Sequence, residues 1–186
     1  APWIFLFLVP AVTMRMIADE KKTGTMELLL TRPISDLQIV LAKYLAALIL
    51  VLLALLPTLV YFFSVYHLGN PSGNMDVAGT TGSYIGLFFL AAIYVAIGVF
   101  ASSLTSNQIV AFIIALLGGF IFYMGFDLLS GLWTFSSMEA FIADLGINAH
   151  YRSMSRGVID TRDIIYFLSV IVVFIYLTKT IIQNRN

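Results

Sequence analysis

Residues suited to chemistry are few and scattered in this sequence. Two histidines, His67 and His150, stand in different hydrophilic segments, neither with a second His or Cys at metal-ligand spacing, and there is no cysteine. Thiolate–zinc sites, disulfides and thiol catalysis are thereby excluded for this chain. His150 has Asp144 and Arg152 close by in sequence, a setting that suits a solvated surface imidazole better than a catalytic or copper-binding one. No G-x-x-x-x-G-K-[ST] run occurs, so this polypeptide does not hydrolyse nucleotide by the P-loop route. What stands out instead is "ADEKKTGTMELLLTRPISD", residues 18–36, which carries seven of the twenty acidic and basic residues of the chain.

The elements that must position this charged stretch are apolar. Of 186 residues 60% are hydrophobic and 11% charged, and the mean hydropathy is +0.97, outside the range of ordinary soluble domains. About 20 apolar residues cross the hydrocarbon core as a helix, and four stretches qualify: 44–66, 84–104, 109–126 and 164–182, the last with Lys179 snorkelling to the interface. Long unbroken runs exclude a lipid-facing barrel, in which polar and apolar residues alternate. The opening "APWIFLFLVPAVTM" reaches Arg15 after 14 residues, too short to cross, and lacks the basic region and cleavage site of a signal peptide. It reads as the second half of a helix whose start lies upstream. The expectation is an all-α polytopic transmembrane bundle with four full spans and a partial one, a single domain over 1–186 with short amphipathic helices on both faces.

Lys and Arg set the orientation. Arg15, Lys21, Lys22, Arg32, Lys43, Lys179 and Arg185 fall on one side, against Arg152, Arg156 and Arg162 on the other. The loop 18–36 and the C-terminus are therefore expected in the cytosol of a bacterium, with the chain in its inner membrane. Within that loop Thr25 can cap a short helix with Glu27 in its first turn. Pro33 forces Arg32 out of helical conformation, and Met26, Leu29 and Leu30 make one apolar stripe. "SDLQ", Ser35 to Gln38, has the pattern of a capping box that launches the next helix. Spacing alone leaves two readings open: an interfacial helix on lipid headgroups, or a docking element for a soluble partner.

Beyond the first crossing back, 67–83 is Gly- and Asn-rich and is expected to be irregular. In the segment 132–160, Ser136 and Glu139 form a capping-box pattern, Met138, Phe141, Ile142 and Leu145 share a face, and Gly146 stops the helix. A second short helix puts Ile147, Tyr151 and Met154 opposite Arg152, Ser155 and Arg156 and ends at Gly157, after which Asp160 can cap the final span. Both should lie flat on the outer surface or roof a pore. Pro57 should kink its span near the carbonyl of Leu53, and Gly82, Gly86, Ala92, Ala96 and the Gly118–Gly119 pair permit close helix packing. The spans hold no charged residue before Asp127, which argues against an ion-coupled carrier or an intramembrane enzyme. A transporter of this composition needs an ATPase from elsewhere.

"DEKKTGTMELLLTRPISDLQIVLAKY" resembles the cytosolic coupling loop of type-2 ABC exporter permeases (ABC-2 type), as do 82–112 their fourth and fifth helices and "SRGVIDTRDIIYFLSV" (155–170) the run into their last. Within that group the wording is closest to the permeases associated with gliding motility and next closest to copper-linked permeases of denitrifying bacteria. The resemblance implies six spans, the first helix and half of the second lying upstream. It also implies that Glu20, Gly24, Thr25, Met26, Glu27, Leu30 and Pro33 face a cytosolic ABC ATPase, with Gly24 making the turn and Glu27 meeting a basic residue of the partner. ATP and Mg²⁺ would then sit on that partner, with no cofactor in this chain, and a second permease copy or homologue would complete the path. Phe141, His150, Arg152, Arg156 and Asp160 would form an outer gate or a docking surface for an extracytoplasmic partner. Membrane lipid is the surrounding phase, and nothing suggests nucleic acid. The rival reading is a non-transporting scaffold that anchors a motility or secretion apparatus.

Overall fold

A computed structural model of the chain describes residues 2–31, 33–69, 76–131 and 136–184. Readings that rest on Arg32, or on the side chains of Leu29, Leu30, Ser136, Met138 and Glu139, lie outside the described residues. The described elements are all helical: α1 Pro2–Thr13, α2 Ala18–Thr23, α3 Thr25–Leu30, α4 Asp36–Leu55, α5 Thr58–Leu68, α6 Val77–Leu104 and α7 Gln108–Phe120. α7 continues through a π-helical turn, Ile121–Gly125, into α8 Phe126–Ser130, followed by α9 Ser136–Asp144, α10 Ile147–Ser155 and α11 Thr161–Gln183. The all-α polytopic bundle is borne out, with one change in the count. Pro2–Thr23, Asp36–Leu68, Val77–Leu104, Gln108–Ser130 and Thr161–Gln183 are all long and apolar enough to cross a membrane, five stretches where four and a half were expected. The opening segment does not stop at Arg15, because Met14 N–H to the Pro10 carbonyl, Asp19 N–H to that of Arg15 and Lys21 N–H to that of Ile17 carry the helical track through a bend at 14–17.

The helix starts follow side-chain caps legible in the sequence. Ser35 and Gln38 form the capping box reciprocally, at 3.4 Å (Gln38 N–H to Ser35 Oγ) and 3.0 Å (Ser35 N–H to Gln38 Oε1). Asp160 accepts from the Arg162 N–H at 3.1 Å and so caps α11. Asp76 accepts from the Gly79 N–H at 2.9 Å, so α6 begins seven residues before the expected span and the irregular connection at 67–83 shrinks accordingly. Pro57 breaks the second crossing into α4 and α5. The Thr58 hydroxyl takes up the Leu55 carbonyl at 2.7 Å, and Tyr84 on α6 donates to the Thr58 carbonyl at 2.9 Å.

α6 is the axis of the bundle. Within the molecule 78% of its apolar stretch is buried, against 22% for each of the crossings 108–130 and 161–183, so the other helices use it as common ground and present their far faces to lipid. Its small residues allow the approach: a Cβ on Gly98 would overlap the Thr13 side chain on α1, and one on Gly82 would lie 2.8 Å from the Gly157 Cα just after α10. Tyr44 on α4 donates to the Ala92 carbonyl at 3.3 Å, and Phe89 and Phe100 pack against Phe167 and Phe174 of α11 at ring distances of 5.5 and 5.4 Å. Because α1, α6 and α11 run toward one end and α4 and α7 away from it, α2, α3, the 105–107 turn and the end of α11 share a charged end. α9 and α10 occupy the opposite one.

Candidate functional site

The charged end is built around one hydroxyl. Ser102, fully buried near the end of α6, accepts from the backbone N–H groups of Ile17 (3.0 Å) and Ala18 (2.9 Å) and donates to the Met14 carbonyl (3.1 Å). A serine hydroxyl has one donor and two acceptor sites, and all three are spent on the bend between α1 and α2. Around it, Lys43 on α4 donates to the Met16 carbonyl at 2.7 Å and to Glu20 Oε1 at 2.5 Å, Lys21 donates to the Ser103 carbonyl, and Gln108 at the start of α7 donates to Asp19. The short helix α2 is thus tied to α4, α6 and α7 at once. A cleft of about 440 Å³, lined by Lys22, Ser106, Asn107, Gln108 and Ile109, opens beside it.

Gly24, at φ +73°, takes the left-handed conformation that ends α2 and lets α3 begin at once. Thr25 starts α3 and is not its side-chain cap: its hydroxyl points back to Thr23 Oγ1 at 2.9 Å and the Glu20 carbonyl at 3.5 Å. Two other expectations change as well. Glu20 is turned inward to Lys43, with its Oε2 buried and unpartnered among the described residues, so its carboxylate positions the loop within the chain. Met26 is 7% exposed and belongs to the apolar core. A six-residue helix cannot show its stripe to two sides, so what faces outward is Glu27, Leu28 at 66% exposure and, past the helix, Pro33. Leu28 was passed over because the i, i+3, i+4 stripe put it on the wrong face.

At the opposite end α10 packs against α6. Ile147 and Met154 are fully buried, and Gly86 and Gly82 of α6 form the seat for Tyr151 and Met154. Burial, and then the neighbouring Tyr123, push the Tyr151 phenol above its ordinary pKa. Asn148 donates to Asp127 at the start of α8. His150, expected to be solvated, is held between helices by Asp163 Oδ1 at 2.6 Å, the Asp144 carbonyl at 2.8 Å and the stacked ring of Tyr166 at 4.0 Å. Asp163 is 13 residues on, a separation at which no helical spacing rule applies, so the pair left no mark in the sequence. Phe141 at 67% exposure, Arg152 and Arg156 remain on the outside, the last two one helical turn apart, while His150 is held between helices and Asp160 is occupied as the cap of α11.

Five apolar helical crossings, four of them packed around the buried α6, define a polytopic all-α membrane protein. The family model for ABC-2 family transporter proteins matches residues 4–186, and the chain belongs to that family. The family is a membrane transport component, not itself catalytic, and membership implies partnership with an ABC ATPase subunit. No curated protein gives a significant match.

Proposed function

We propose that the chain is the permease subunit of an ATP-driven exporter in a bacterial cytoplasmic membrane, with its charged end and C-terminus in the cytosol. ATP and Mg²⁺ belong to a separate ATPase, and a second permease copy or homologue completes the path. The observation that carries this reading is that α2–α3 presents Glu27 and Leu28 outward while Ser102, Lys21, Lys43 and Gln108 fasten it to three crossings, those of α6, α4 and α7. A load on α3 reaches α6 through the bend at 14–18, and α6 touches most of the bundle. A loop that merely lay on headgroups would gain nothing from such fastening. The excess of Lys and Arg at this end supports the cytosolic assignment, and likeness to the gliding-motility permeases supports a motility-linked role as the finer reading.

The test is co-purification of the ATPase with the full complex from detergent. Reversing the outward charge with Glu27→Arg and replacing the exposed anchor with Leu28→Arg should together abolish capture, since both groups lie outside the fold and neither is part of its packing. Capture and ATPase activity that survive both changes overturn the reading in favour of a non-transporting membrane anchor.

A further inference from the structure

The turn between α10 and α11 carries cations and apolar side chains together on the outside of the fold. Arg156 ends α10, Arg162 sits in the first turn of α11, and between them Val158 and Ile159 are 59% and 45% exposed. The backbone that presents them is held at two points. Gly157, at φ +82°, lies so close to α6 that a Cβ there would meet the Ala78 carbonyl at 3.2 Å, and Asp160 accepts from the Arg162 N–H at 3.1 Å. Within 152–162 three arginines, Arg152, Arg156 and Arg162, stand beside one exposed carboxylate, Asp160. The ion pairs among the described residues, Lys43–Glu20 and His150–Asp163, use none of the three. Arg156 gives Nε to the Arg152 carbonyl at 3.2 Å, which leaves the terminal amino groups of its guanidinium unused among the described residues.

α11 continues this patch along its apolar length. Its buried side, with Asp163, Phe167, Ile171 and Phe174, faces the bundle. At about 3.6 residues per turn Arg162, Ile165, Val172 and Val173 fall on the opposite side, where the three apolar residues are 61%, 62% and 54% exposed. Arg162 therefore heads an apolar stripe that nothing in the chain covers among the described residues. From Arg162 to Val172 the helix rises about 15 Å, which is half of the roughly 30 Å hydrocarbon core and so the depth of one leaflet. We propose that the turn and the stripe together bind one anionic phospholipid of the leaflet that meets this end of the bundle. Arg156 and Arg162 hold its phosphate through charge-assisted hydrogen bonds, and an acyl chain lies along Ile165 and Val172. The stripe favours a lipid over a soluble anion, which would leave it bare, and the excess of arginine favours a headgroup of net negative charge over a zwitterionic one. The site is remote from α2–α3, so it does not depend on which partner binds the charged end.

Native mass spectrometry of the full protein in detergent, titrated with phosphatidylglycerol or with phosphatidylcholine of the same chains, reads the site. The first phosphatidylglycerol should bind roughly tenfold more tightly than the first phosphatidylcholine. Arg156→Gln combined with Arg162→Gln should remove that preference, and because both side chains are exposed the fold is kept. Lys22→Gln, an exposed cation at the other end, should leave the preference unchanged. Ile165→Ser combined with Val172→Ser should weaken both lipids alike, and inorganic phosphate in excess should displace neither. A preference that survives the double arginine change or is lost on Lys22→Gln overturns the proposal. Displacement by inorganic phosphate overturns it in favour of a soluble anion, and a dimer that forms in place of the bound lipid overturns it in favour of a second copy of the chain.

Discussion

The two ends of the bundle are fastened to the same helix by different chemistry. At the charged end the contacts that set the bend at 14–18 are backbone amides on the Ser102 hydroxyl, groups that do not titrate. At the opposite end α10 rests on glycines of α6 and reaches α11 through the His150–Asp163 side-chain pair. One end is therefore held by backbone amides on a single buried hydroxyl, and the other by close packing on glycines and one side-chain pair.

The sharpest way to break the comparison is to remove the glycine seat. A Cβ at Gly82 meets the Met154 carbonyl and the Gly157 Cα, both backbone atoms that cannot rotate aside. Gly82→Val should cost about 3 kcal/mol, the upper part of the range for overpacking, and should undock α10 while the charged end stays intact. Chemical unfolding in detergent measures the loss, and hydrogen exchange locates it. Gly119→Ala supplies the contrast, because its new methyl meets the end of the Leu6 side chain at 2.9 Å and that group can shift.

How much of this was legible in advance depended on whether the determinant was local. The capping box at Ser35 and the caps at Asp76 and Asp160 act within three residues, and apolar length acts within one helix; the first and third caps and four crossings are legible directly, while Asp76 stands ahead of the apolar run that starts at Tyr84, in a Gly- and Asn-rich stretch that reads as loop. Ser102 could not be found this way. A serine in an apolar helix usually satisfies itself on its own helix, and nothing in "VFASSL" distinguishes it from Ser103, whose hydroxyl does so, on the Phe100 carbonyl at 2.6 Å. The inward turns of Glu20 and Met26 were hidden for the same reason: their partners lie on α4 and in the core, and periodicity reports a stripe without saying what covers it.

Ser102→Ala sharpens the other half of the comparison. It strands two buried amides and one carbonyl at the bend while leaving the packing volume nearly unchanged, and an unsatisfied buried group costs about 1–3 kcal/mol. A loss of about 2 kcal/mol is expected, because the bend can relax enough for water to reach it in part. Exchange at Ile17 and Ala18 should rise by at least about tenfold, with amides 147–155 unaffected. If both ends loosen together, the bundle responds as one cooperative unit and the contrast between its joints disappears.

The smallest effect is expected at the break in the second crossing, which lies between the two ends. Tyr84 donates to the Thr58 carbonyl and lines, with Thr58, Leu55 and Ile4, a cavity of about 250 Å³ between α1, the Pro57 break and α6. Tyr84→Phe keeps the ring and removes one hydrogen bond, worth about 1 kcal/mol. α5 has no buried residue of its own, so this bond is one of the few things that hold its angle against α6. The substitution should leave the unfolding midpoint almost unmoved and still widen the spread of spin-label distances between α5 and α6. A shift in stability without that widening would mean that the bond supports the core of α6 and leaves the direction of α5 to Pro57 alone.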